Sequence, residues 1–322
     1  MKHRFLKLIC ATLCFIFIFS INSFALSIDN TDNLDESIIT EPYDYPIIPG
    51  TNEWKSLTSH KQMIEACKIP ENILKNMTTE ALFETMMNYP LLSDMLFYDD
   101  KDLGYKIMKE NCSLFNELFS RSDVKEVFEL YASSELYTCS SAIPFEEQIK
   151  LTCFNIIYNS EFEESYQIMS AGEVTNSNVK TPNGTKVPHI EGLTFNGHGY
   201  YGTTEDLDKE MKKKYPNAVK ISTANPSYNC HSYAWHSTST NNFCWINNPK
   251  YYWTDNSYIK TTSPKNADKV LYKNGTSNVH SAIYFNASTK EVYSKWGYYG
   301  VYKHSRGYSP YDATSYVSYK KS

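Results

Sequence analysis

Beyond its first 25 residues the chain lacks any apolar run long enough to cross a membrane as a helix. It also lacks an excess of basic side chains, since 31 Lys and Arg stand against 36 Asp and Glu. An acidic chain of this kind is a poor candidate for binding nucleic acid or an anionic membrane surface. We therefore expect no nucleic-acid partner and no membrane span in the mature chain.

The N-terminus has the pattern of a secretory signal peptide. Lys2, Arg4 and Lys7 precede an apolar core at residues 8–19, and small residues follow up to Ala25. Cleavage after Ala25 would remove three basic and no acidic side chains, which changes the formal net charge from −5 to −8. We expect a secreted protein. A membrane anchor retained at the N-terminus is the alternative.

Six cysteines follow the signal region at irregular spacing: Cys67, Cys112, Cys139, Cys153, Cys230 and Cys244. A chain of about 300 residues is too large to depend on disulfides, so the spacing does not indicate a disulfide framework. An exported chain can still oxidise its cysteines, and a disulfide between Cys230 and Cys244 stays open as an alternative.

Composition divides the chain into an N-terminal helical part and a C-terminal mixed part. Residues 26–50 are predicted to be an acidic linker, 51–170 an all-α domain of unknown role, and 171–190 a second linker. Only two glycines occur between residues 26 and 170, whereas residues 191–322 contain eight of the twelve glycines and four of the five tryptophans. The predicted fold class is α+β.

The C-terminal part contains a helix pattern and several short strand patterns. A charged helix is predicted over 204–214, and strands are predicted at 218–222, 270–272, 280–285 and 292–296. In the N-terminal part, Ser59 and Gln62 have the spacing of a helix cap. For the C-terminal part, the pattern predicts a short helix packed on a small antiparallel sheet.

The most informative stretch is Asn229–Trp235, which contains Cys230 directly after a predicted turn at 224–227. A cysteine at the start of a helix lies near free backbone N–H groups, and the positive end of the helix dipole lowers the pKa of its thiol. This placement predicts a nucleophile. An ordinary buried cysteine is the alternative, because cysteine is among the most buried residue types.

A histidine and a hairpin supply the partners of that cysteine. His280 begins a predicted strand, and residues 286–289 form the predicted turn. If the loop between the two predicted strands has an odd number of residues, Ser294 lies on the same face of the hairpin as His280. If the number is even, Lys295 lies on that face instead. We predict His280 as the general base and Ser294 as the third group, with His304 as the alternative third group.

These residues carry a resemblance to a known family. Ala267–Tyr272 and His280–Tyr284 resemble the signature of NlpC-type cell-wall cysteine peptidases, which belong to the papain-like superfamily. The chain looks like a divergent branch of secreted proteins near that family, over roughly residues 195–310. The resemblance implies a papain-like fold in which Cys230 matches the nucleophile and His280 matches the base. Ser294 falls near the third position.

The predicted function is a cysteine-dependent amide hydrolase, a peptidase or amidase acting on peptides of the cell wall. Cys230 would attack as a thiolate and form an acyl-enzyme that water hydrolyses, so no cofactor is needed. Transfer of the acyl group to another amine is open on the same site. Metal is not expected, because Cys230, His231, His236 and Cys244 match no common zinc spacing.

The alternative is a binding module that has the same papain-like fold but no catalytic turnover. Seven aromatic residues could build a groove for wall polymer or another ligand: Trp245, Tyr251, Tyr252, Trp253, Tyr258, Tyr298 and Tyr299. Aromatic residues also dominate the cores of small domains, so the same set is equally consistent with packing.

Overall fold

The computed structural model describes residues 38–133, 144–163, 178–195 and 202–322. The signal peptide expected at 1–25 lies outside these residues, as does Cys139. Across the described ranges, no helix is both long enough and apolar enough to cross a membrane.

Helices form most of the first half of the chain. They are α1 Asn52–Lys55, α2 His60–Ala66, α3 Glu71–Asn76, α4 Thr79–Met87, a 3₁₀ helix Leu92–Phe97, α5 Lys101–Asn111, α6 Ser113–Leu118, α7 Val124–Ala132 and α8 Phe145–Phe162. As predicted, Ser59 caps a helix: its side chain accepts the backbone N–H of Gln62 at the start of α2. Further along are α9 Thr204–Lys214, α10 Cys230–Trp235, α11 Tyr251–Thr254 and a 3₁₀ helix Pro264–Asn266.

The strands are β1 Ile190–Glu191, β2 Val219–Lys220, β3 Cys244–Trp245, β4 Tyr258–Lys260, β5 Lys269–Asn274, β6 Ser277–Asn286, β7 Glu291–Lys295, β8 Val301–Ser305 and β9 Ser315–Lys321. Seven of them form one sheet in the order β2-β8-β7-β6-β5-β9-β4, in which all neighbours are antiparallel. β1 and β3 pair separately. The described chain is therefore a mixed α and β structure, with helices first and an antiparallel sheet after them.

One hydrophobic cluster contains core residues of both the helical part and the sheet. Phe97, at the end of the first 3₁₀ helix, packs edge-on against Trp296 with ring centroids 6.3 Å apart and lies 4.6 Å from Tyr299. The helices thus bury one face of the sheet directly. Parts of the predicted linkers also pack, because Tyr45, Val179 and Val187 are buried.

A buried group of charged side chains also joins the helical part to the sheet part. The ring of His60 on α2 bonds Asp312 through Nδ1 at 2.7 Å and Asp94 through Nε2 at 2.8 Å. Lys214 at the end of α9 approaches Asp94 Oδ1 at 2.6 Å, and Tyr215 donates its hydroxyl to Asp94 Oδ2 at 2.7 Å. Residues distant in sequence are therefore held together by charge-assisted bonds.

The electrostatic environment favours charge on both His60 and Asp94. Burial acts to lower the pKa of the His60 imidazole, but Asp312 and Asp94 outweigh it and raise the pKa to about 10. Burial acts to raise the pKa of the Asp94 carboxyl, but Lys214 and His60 outweigh it and lower that pKa. The imidazolium is thus the form that stabilises the fold.

We predict that this imidazolium makes stability fall toward alkaline pH. Because the pKa of His60 is raised on folding, its contribution is complete below the unfolded value of about 6.5 and is lost as pH rises toward 10. In urea unfolding at pH 6, the free energy of unfolding of wild type should exceed that of His60→Gln by on the order of a few kcal/mol. The difference should shrink by pH 9.5. A difference that stays constant with pH would contradict this assignment.

Candidate functional site

Cys230 is the first residue of α10, as the sequence predicts, and Asn229 is the cap that positions it. The Asn229 side chain is fully buried, and its Oδ1 accepts the backbone N–H groups of Ser232 at 2.9 Å and Ile246 at 3.2 Å. Its Nδ2 donates to the Ile246 carbonyl at 2.8 Å and to Asp99 Oδ2 at 2.7 Å. One amide thus ties the cysteine helix to β3 and to the helical part.

Strand β6 places its side chains alternately on two faces of the sheet. Ser281 points toward α10, where its Oγ bonds His231 Nδ1 at 2.8 Å and Trp235 Nε1 at 2.8 Å. His280 therefore points to the opposite face, which the helical part covers. The cysteine helix and the histidine ring lie on different faces of the sheet.

His280 is completely buried between two tyrosine rings. Its ring stacks on Tyr311 at a centroid distance of 3.8 Å and meets Tyr272 edge-on at 4.8 Å. Within the described residues neither ring nitrogen has a hydrogen-bond partner, and burial lowers the pKa of the imidazole well below its usual value. Leaving a buried polar group unpaired costs about 1–3 kcal/mol.

The thiol of Cys230 reaches the sheet beside His280 but does not bond its ring. The β6–β7 ladder extends from the hairpin only as far as Ile283 and Tyr293. Beyond that point the backbone N–H of Ser281, the residue after His280, bonds the sulfur of Cys230 instead. The thiol is therefore held at the end of the ladder, next to the backbone of the strand that carries His280.

Burial governs the charge of this cluster. Burial, with a further contribution from Asp99, raises the pKa of the Cys230 thiol well above its usual value. Burial also raises the pKa of Asp99 to about 7 and lowers that of Lys295 far below its usual value. The expected lowering of the thiol pKa by the helix start is thus wrong for this structure, because desolvation of the thiolate outweighs it.

The register of the hairpin follows the odd-loop alternative. Val292 pairs with Tyr284, so Ser294 lies on the His280 face, whereas Lys295 faces α10. Lys295 donates to the carbonyls of Asn225 at 2.7 Å and Gly297 at 2.6 Å.

Ser294 and His304, the two candidate third groups, bond each other rather than His280. His304 Nδ1 donates to the Ser305 carbonyl at 2.8 Å, so its Nε2 is the acceptor. The Ser294 hydroxyl donates to that Nε2 at 2.7 Å and accepts from Trp296 Nε1 at 2.9 Å. Burial lowers the pKa of His304 to about 4.

The structure also bears on the other sequence alternatives. Cys230 and Cys244 are both free thiols. Most of the seven aromatic residues considered for a groove are buried in the core, and only Tyr251 and Trp253 are partly exposed. These rings mainly pack the fold.

Asp99 is the site residue that the sequence does not reveal. It lies between the first 3₁₀ helix and α5, far from Cys230 in sequence. Ligand atoms of Asp99, Cys230 and His231 lie within 4.8 Å of one another. Of the four residues weighed for zinc from the sequence, His236 is exposed and Cys244 lies in a separate hydrophobic cluster.

Comparison of the chain with protein-family models, curated proteins and solved structures finds no match. The NlpC-type resemblance stays a prediction from residues 267–272 and 280–284.

We predict that Asn229→Ala destabilises the protein by on the order of 2–4 kcal/mol, because it removes a helix cap and leaves Asp99 Oδ2 and the polar backbone of Ile246 without this partner. Asn248→Ala is the matched control, since within the described ranges the exposed Asn248 side chain accepts only a local bond from the Lys250 backbone. Urea unfolding measures both changes. Equal losses in the two variants would show that Asn229 does not hold these elements together.

Proposed function

We propose that the protein is a secreted cysteine-dependent amide hydrolase, a peptidase or amidase for peptides of the cell wall, with Cys230 as nucleophile and His280 as base. The observation that carries the proposal is the imidazole of His280, which is fully buried beside the backbone N–H that bonds the thiol. Among the residues that the structure describes, neither of its nitrogens has a hydrogen-bond partner. Most buried polar groups in native structures have a hydrogen-bond partner, so the imidazole of His280 needs an explanation, and a catalytic role supplies one.

The proposed reaction needs only groups of this chain and water. In the reactive form the thiol must come within hydrogen-bond reach of the His280 ring, which it does not bond in this structure. The thiol then transfers its proton to His280 as the sulfur attacks the amide carbon, and the backbone N–H groups of Ser281 and His231 stabilise negative charge at the site. The protonated imidazole then gives its proton to the departing amine. Water hydrolyses the acyl-enzyme, and His280 accepts the proton of that water and passes it to the departing Cys230 sulfur, which restores the thiol.

The described structure corresponds to a closed form of this site. Cys230 is 1% exposed, and its burial favours the neutral thiol. Asp99 of the helical part lies beside the thiol and is fixed through Asn229. Substrate entry therefore requires the segment around Asp99 to move away from α10.

We predict that Cys230→Ala abolishes turnover of peptidoglycan fragments and that His280→Ala lowers kcat by about 10²–10⁴-fold. The measurement is release of new amino groups from purified muropeptides, with trapped acyl-enzyme detected by mass spectrometry. Cys244→Ala is the matched control because Cys244 is a buried free thiol outside the site.

Two outcomes would contradict the proposal. The first is turnover in Cys230→Ala equal to that of Cys244→Ala. The second is that wild type and Cys230→Ala both bind the fragments and that neither releases amines. This result would favour the binding-module function.

A further inference from the structure

Asp99, Cys230 and His231 have the composition of a transition-metal ligand set. They offer a carboxylate oxygen, a thiol sulfur and an imidazole nitrogen within 4.8 Å of one another, and His231 Nε2 lies 3.9 Å from Asp99 Oδ2. Zinc bonds of about 2.0–2.3 Å place neighbouring ligand atoms about 3.3–3.6 Å apart in a tetrahedron. A contraction of about 1 Å would bring the three atoms to that spacing.

The surroundings of the three residues are those that orient metal ligands. His231 Nδ1 bonds Ser281 Oγ, which is itself held by Trp235 Nε1, and Nε2 lies on the Asp99 side, 3.9 Å from Oδ2. Such a bond to the second nitrogen is the usual brace of a metal-binding histidine. The backbone carbonyl of Asn278 also interacts with the imidazole. Asp99 Oδ2 accepts a hydrogen bond from Asn229. Two of the three candidate ligands, His231 and Asp99, are therefore oriented by hydrogen bonds to neighbouring side chains.

An independent observation points to a missing electrostatic partner at this place. Asp99 Oδ1 is buried without a hydrogen-bond partner in the described part of the chain. Two buried ammonium groups act on Asp99, Lys101 more strongly than Lys295. Lys101 donates to the carbonyls of Leu96 and Tyr98, and Lys295 donates to those of Asn225 and Gly297, so neither bonds Asp99 Oδ1. An unpaired buried carboxylate oxygen beside a thiol and an imidazole is the arrangement that a divalent cation satisfies.

We propose that Asp99, Cys230 and His231 bind one thiophilic divalent cation of the zinc type, with the fourth coordination position open. Binding replaces the proton of the Cys230 thiol by a metal–sulfur bond, and that proton passes to solvent. Because Asp99 belongs to the helical part and Cys230 to α10, the cation links the two and holds the site closed. The site does not require that Cys230 be a nucleophile.

The test uses the tag-free protein, dialysed against Zn²⁺ or Co²⁺ and then analysed for bound metal. We expect one ion per chain and a sulfur-to-cobalt charge-transfer absorption, which reports a thiolate ligand directly. Cys230→Ser should remove that absorption and weaken binding about 100-fold or more, whereas the control Cys244→Ser should keep both. Binding should raise the Tm of wild type.

Two further variants separate ligation from folding. Ser281→Ala removes the brace of His231, together with the acceptor of Trp235 Nε1, and should weaken Zn²⁺ binding about 10- to 100-fold. Asp99→Ala should lose the cation-dependent rise in Tm. No bound metal in wild type, or cobalt absorption that survives in Cys230→Ser, overturns the site.

Different results would contradict the hydrolase proposal, because hydrolysis requires His280 and binding of the cation does not. Metal binding with normal absorption in His280→Ala would leave the cation site standing. Loss of turnover in that variant would be expected from the hydrolase proposal alone.

Discussion

The alternation of strand β6 determines what can meet at this site. Ser281 and His280 are neighbours, yet one side chain braces α10 and the other is stacked between Tyr272 and Tyr311 on the far face. A thiol on α10 can approach the histidine only where β6 and β7 no longer pair, at the end of their ladder. The sheet thus brings cysteine and histidine close through its backbone while keeping their side chains apart.

Several buried polar side chains around Cys230 and His280 are paired, whereas neither nitrogen of His280 has a partner in the described residues. Asn229 uses both atoms of its amide, Lys295 bonds two carbonyls, and Ser294 bonds His304. Such pairing offsets the desolvation of buried polar groups. A buried imidazole with neither nitrogen paired is costly, and a group that must accept a proton during a reaction needs a free nitrogen.

The sequence predicts the local features well because neighbouring residues determine them. The helix at 204–214 has a capping box made by Thr203 and Asp206, and the start of α10 follows from Asn229. Two features depend on tertiary packing and could not be predicted. Asp99 has no sequence pattern that relates it to Cys230, and the raised thiol pKa results from burial by segments distant along the chain.

The two proposed uses of Cys230 exclude each other in time but depend on the same constraint. Burial makes a bare thiolate unfavourable, so the sulfur ionises only when a cation binds it or when a base takes its proton. Asp99 and His231 lie on the side where a cation would bind, whereas His280 lies behind the end of the ladder. A cation would therefore hold the helical part on α10, and its departure would free both the sulfur and the segment that covers it.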